Sequence, residues 1–122
     1  MRALARLAPL SVLALALTGC TVGYTADVRN DTAQPIVAYL VRGDSSGQSN
    51  ALALQRIGPN SRGEVSRYNV PDEWKVYLQV DAQGNPGYPA QLDVFPGLSV
   101  VRVTQDGNLP TGKLRMERVA RD

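Results

Sequence analysis

The chain has 122 residues, 43% of them hydrophobic, which is enough for one domain with its own core and too few for two. Its formal charge is +2, but two of its thirteen Lys and Arg stand in the first twenty residues, as Arg2 and Arg6, and all eleven acids lie beyond them. Residues 21–122 are therefore near neutral and hold no basic block for nucleic acid, and the absence of histidine excludes a Ser-His-Asp triad, a Cys-His dyad and every histidine metal site.

The first twenty residues differ from the rest. Met1–Arg6 is basic, Leu7–Leu17 is apolar apart from Pro9 and Ser11, and Thr18, Gly19 and Cys20 follow. A basic start, a short apolar run and small residues at a cut site describe an export signal. The run is shorter than the ~20 residues that a membrane-spanning helix needs. Leu17-Thr18-Gly19-Cys20 resembles the lipobox of bacterial lipoproteins. The resemblance implies cleavage after residue 19, diacylglycerol on the Cys20 sulfur and acylation of the new amino group. It divides the chain into a signal peptide (1–19), a lipid-anchored N-terminus with a short linker (20–23) and a folded domain (24–122). Thr21, where Asp would favour the inner membrane, implies the outer membrane of a Gram-negative envelope, facing the periplasm. The alternative is an ordinary secretory signal with a chance cysteine. Cys20 is the single cysteine, so the exported part forms no internal disulfide and folds on its hydrophobic core.

From residue 21 the chain reads as short strands between turns. Tyr24, Ala26 and Val28 alternate with Thr25, Asp27 and Arg29, and Asn30–Gln34 is a polar turn. Pro35 opens Ile36–Val41, a β-branched and aromatic run suited to a strand buried on both faces. Gly43–Asn50 reads as a flexible loop, and Ala51–Ile57 as a strand or a single helical turn. Gly58-Pro59-Asn60 is a turn, and Arg62–Tyr68 a strand.

Glu73–Ala82 carries the strictest alternation. Trp74, Val76, Leu78 and Val80 share one face, and Lys75, Tyr77, Gln79 and Asp81 the other, the pattern of a half-buried strand. Gln83–Gly87 turns the chain into Ala90–Phe95, its expected hairpin partner. Pro96-Gly97 turns again, Leu98–Thr104 is a strand, Gln105–Gly112 a long polar turn, and Lys113–Val119 the last strand.

Seven or eight short strands at regular spacing, with no helix and no repeat, predict an all-β fold, an antiparallel β-sandwich. The layout resembles immunoglobulin-like and fibronectin-like sandwiches. Val28–Thr32 followed by Pro35-Ile36-Val37 is similar to their first hairpin, and Ile57–Asn60 to the turn before a middle strand. The Cys-Trp-Cys spacing of a true immunoglobulin domain is missing. Transthyretin-like and lipocalin-like folds remain open, although a lipocalin barrel needs a longer chain.

The sequence offers no catalytic residue, no cofactor site and no metal site. Asp81–Asn85 has too few alternating oxygen ligands and no closing Glu for a calcium loop, so it reads as a hairpin turn. Asp72 and Glu73, as strand neighbours, point apart rather than converging as glycosidase acids. Trp74 reads as core. Tyr77 and Tyr88, on either side of the Gly84–Gly87 turn, form a candidate partner surface, weighed against the ordinary preference of tyrosine for strands. Arg115, Arg118 and Arg121 suit a charged edge strand. The expected function is a non-enzymatic, lipid-anchored envelope module that binds an envelope protein or cell-wall component. A small-ligand (sugar or lipid) binder is the alternative, and a carboxylate-based hydrolase comes last.

Overall fold

In the computed structural model, residues 19–44, 48–82, 85–106 and 113–119 are described, with backbone alone for 85–89. The strands are β1 (Thr21–Asn30), β2 (Ile36–Arg42), β3 (Ala53–Ile57), β4 (Ser61–Pro71), β5 (Val76–Ala82), β6 (Asn85–Asp93), β7 (Gly97–Gln105) and β8 (Leu114–Arg118). A 3-10 turn at Gln48–Asn50 is the one helical element among the described residues. The strands form two four-stranded sheets, ordered β4-β1-β7-β8 and β3-β2-β5-β6. The expected all-β sandwich is thus what the chain builds.

Alternation explains the core. Tyr24, Ala26 and Val28 of β1 and Val101 and Val103 of β7 face inward from the first sheet. Ile36, Ala38 and Leu40 of β2 and Val76, Leu78 and Val80 of β5 face them from the second. Each strand sends every second side chain into one layer, and each fully buried Val, Leu or Ile contributes about 1.5–3 kcal/mol. Every pairing is antiparallel except β1 with β7, which run parallel with Tyr24 opposite Gly97 and Val28 opposite Val101. A parallel pair needs a long crossover; here the second sheet and β4 lie between the two strands in the chain.

Several expectations change. Residues 20–23 are not a linker: β1 starts at Thr21, which pairs with Pro71, and the Asp72 amide donates to the Cys20 carbonyl at 3.2 Å. β1 and β2 do not form a hairpin, because they belong to opposite sheets; Asp31–Pro35 carries the chain across the sandwich. Likewise Gly58–Asn60 leads from one sheet into β4, an edge strand of the other rather than a middle one. Asn60 accepts the left-handed backbone of this turn, with φ 51°, a conformation that asparagine tolerates better than most residues.

β5 begins at Val76, not Glu73, and its second face is not exposed: Gln79 and Asp81 are buried with Tyr39 and Val41 of β2. The cover includes the segment read as a free loop, of which Gln48 hydrogen-bonds to Asp81. β2 is buried on both faces, as its composition suggested. β8 lies at a sheet edge with Arg115, Glu117 and Arg118 exposed, in keeping with its charged sequence. Arg121 lies outside the described residues.

Candidate functional site

Cys20 is exposed and stands directly before β1. Its thiol is therefore open to modification while its carbonyl is already part of the sandwich, held by the Asp72 amide. Nothing separates the sulfur from the folded domain beyond its own side chain.

Tyr77 and Tyr88 are not neighbours along the backbone. Tyr77 pairs with Asp93, five positions along β6 from Tyr88, which at ~3.3 Å per residue is about 16 Å. The Tyr88 side chain lies outside the described residues. Tyr77 is half-buried and sits at the start of β5, away from the hairpin, with the Lys75 ammonium 5.7 Å from its ring centroid. Asp72 and Glu73 are exposed turn residues.

Trp74 precedes β5 and packs half-buried against the core, as its place in the alternation implied. The Arg42 guanidinium covers its ring at 4.2 Å from the centroid. Turn and strand are tied here by the Trp74 amide, which donates to Pro71, and the Gly43 amide, which donates to Lys75 at 2.7 Å.

Asp81 is the most unusual acid. It is 8% exposed, and one of its oxygens accepts from the Tyr39 hydroxyl at 3.1 Å and from the Gln48 amide at 3.0 Å. The other carboxylate oxygen has no hydrogen-bond partner among the described residues. Burial, and then the charge of Asp81 and its hydrogen bond, raise the Tyr39 pKa far above the ordinary tyrosine value. This phenol stays neutral and donates. Asp81 also lines a cleft of about 230 Å³ with Arg56, Gln48 and Val37. Gln83 and Gly84 of the Asp81–Asn85 segment lie outside the described residues. Among the described residues, no cluster of three or more acids or cysteines is placed to hold a metal ion.

A second polar cluster was not foreseen. Asn30 is fully buried at the end of β1 and Thr32 is 3% exposed. The Asn30 amide donates to the Gln34 and Gly58 carbonyls, each at 2.9 Å, and lies 3.3 Å from that of Ile57. Its oxygen receives the Thr32 amide at 3.0 Å and lies 2.6 Å from the Thr32 hydroxyl. This arrangement satisfies both ends of one side chain internally, so its role is to join the sheets and not to bind. The available signal was period two: Asn30 continues the inward series Tyr24, Ala26, Val28.

No protein-family model matches the sequence, and a search of curated proteins finds no match.

Proposed function

We propose that the chain is a lipid-anchored, non-catalytic module of the bacterial cell envelope, cut before Cys20 and held at a membrane by acyl chains on that sulfur, where it binds or positions another envelope component. The observation that carries this reading is the exposed Cys20 at the end of Leu17-Thr18-Gly19-Cys20, one residue before the first strand. Such a boundary suits a chain whose fold begins where its signal ends. Two or more acyl chains give stable anchoring at ~0.8 kcal/mol per buried methylene. Thr21 favours the outer membrane, facing the periplasm.

A sandwich with a filled core supports a binding or structural role. Its first two strands lie in opposite sheets, unlike those of an immunoglobulin sandwich, which share one; this difference bears on fold alone. The cleft beside Asp81 favours a second reading, a small polar ligand held between Asp81 and Arg56. At about 230 Å³ it is smaller than the ~300–1,000 Å³ of typical ligand sites, so we rank it below the partner-binding reading.

The test is crosslinking in living cells with an affinity tag after Asp122, followed by mass spectrometry. Recovery of one envelope protein, lost when an exposed loop is altered, supports the module. Recovery of the lipidated chain alone counts against a protein partner and turns attention to the Asp81 cleft and to cell-wall sugars.

A further inference from the structure

Large apolar side chains left in water collect around the start of β1. Among the described residues, Tyr68 and Phe95 are each 63% exposed and Leu98 is 46% exposed. The fourth exposed one, Leu54, lies on the other sheet, opposite Tyr39. The register puts the first three in one band. The Tyr68 ring lies over Gly23 of β1, so close that a β-carbon there would stand 2.8 Å from it. Leu98 pairs with Thr25, and Phe95 lies in the turn leading to Gly97, which pairs with Tyr24. The band therefore crosses β4, β1 and β7, roughly 10 Å at the ~4.8 Å spacing of strands.

The same end of the molecule stacks cations on rings. Arg118 covers Phe95 at 4.9 Å, and Arg42 covers Trp74 at 4.2 Å. Trp74 belongs to the turn after Pro71, the residue opposite Thr21. Aromatic rings combined with long cations whose stems lie on apolar surface are the side chains that favour the membrane–water interface. Acids accompany the cations here: Asp44 lies 3.4 Å from Arg42, Glu73 lines the same hollow as Arg42 and Lys75, and Arg118 donates to the Asp93 carbonyl. Attachment at this end would thus depend on the rings and not on anionic lipid.

Position decides what meets this surface. A flexible tether of n residues lets a domain wander ~5–6 Å × √n from its anchor, and here Cys20 is already hydrogen-bonded to Asp72. Acyl chains on Cys20 would bring the residues around it to the headgroup layer.

We infer that the Cys20 end of the sandwich, with Tyr68, Trp74, Phe95 and Leu98, is a membrane-seated surface whose partner is the phospholipid bilayer that holds the Cys20 acyl chains. The inference rests on the lipidation of Cys20 proposed above. It makes the anchored domain oriented, with the Cys20 end down and the Asn30 end outward.

Trp74 is the single tryptophan and reports on this end. The full lipoprotein, extracted from membranes and checked by mass for lipid on Cys20, is placed in phosphatidylcholine vesicles with or without bromine on the acyl carbons nearest the headgroup. Brominated lipid should quench Trp74 emission, and adding phosphatidylglycerol should leave the quenching unchanged. Phe95→Ser with Leu98→Ser should weaken it, with the thermal unfolding midpoint retained as the check on folding. Equal emission from lipidated protein in both vesicles overturns the inference and leaves the anchor standing; that is also the outcome if a protein partner owns this face. Quenching only with phosphatidylglycerol overturns its apolar basis. A mass without lipid on Cys20 overturns the anchor and this inference together.

Discussion

The side-chain amide of Asn30, on the last residue of β1, donates to the carbonyl of Gly58 at 2.9 Å, just beyond the end of β3 in the opposite sheet. One buried group thereby fastens the two sheets where the chain crosses between them twice. Asn30→Ala leaves the Gly58 and Gln34 carbonyls and the Thr32 amide without this partner. The loss should destabilise the fold by about 2–3 kcal/mol, seen as a lower urea midpoint with the denaturant slope unchanged. Asn30→Asp removes both amide donors and places a carboxylate against carbonyls, so it should cost at least as much at neutral pH.

Gly63 meets Ile57 where β3 and β4 turn against each other. A β-carbon at Gly63 would lie 2.6 Å from Ile57 Cγ1, and Ile57 is buried in the core at 2% exposure. Gly63→Ala should destabilise by about 1–3 kcal/mol through overpacking. Gly63→Ala combined with Ile57→Ala, which removes the Cγ1 that the new methyl meets, should lose less than the two single costs added, which a double-mutant cycle in urea measures.

Alkaline pH should weaken the fold through Tyr39. Its folded pKa is raised above the unfolded value near 10 by burial and then by Asp81, and that of Tyr24 is raised by burial. Above pH 10 the unfolded chain releases these protons and the folded chain keeps them. Stability is therefore full below pH 10 and falls as pH rises above it, by up to about 1.4 kcal/mol per pH unit for Tyr39, with Tyr24 acting in the same direction. Urea midpoints between pH 8 and pH 11 should show this fall, and Tyr39→Phe should reduce it, leaving the part that Tyr24 contributes.

The salt bridges Arg102–Asp31 and Arg102–Glu117, at 3.0 and 3.3 Å, are at the surface. Arg102→Ala should change stability by less than about 1 kcal/mol, with little effect on the thermal midpoint. A larger drop would mean that Arg102 packs as well as pairs.

The strands were legible because their inward residues repeat with period two, as in Val76, Leu78 and Val80. Where local pattern stopped, so did the reading. Thr21-Val22-Gly23 looks like a linker, yet it pairs with β4 residues some fifty positions away. Gln79 and Asp81 look solvated, but the cover over them is a polar segment whose composition reads as a loop. The parallel pairing of β1 with β7 joins residues more than seventy apart, and no short motif announces it. Tyr77 and Tyr88 looked like a pair from their places around the hairpin; the register instead sets Tyr77 at the far end of β5. The apolar band of Tyr68, Phe95 and Leu98 is assembled by strand order, which sets β4 and β7 on either side of β1 and so brings Tyr68 beside residues some thirty positions away.

The most direct test of the lipid-anchored module is the intact mass of the chain purified from the membrane fraction of cells that express it, beside Cys20→Ser. The account predicts a species that begins at Cys20 and carries diacylglycerol on sulfur and an acyl group on the amine, and a substituted chain that is no longer cut after Gly19 or lipidated. A wild-type chain recovered with a free Cys20 thiol, cut elsewhere or still bearing residues 1–19, would contradict it.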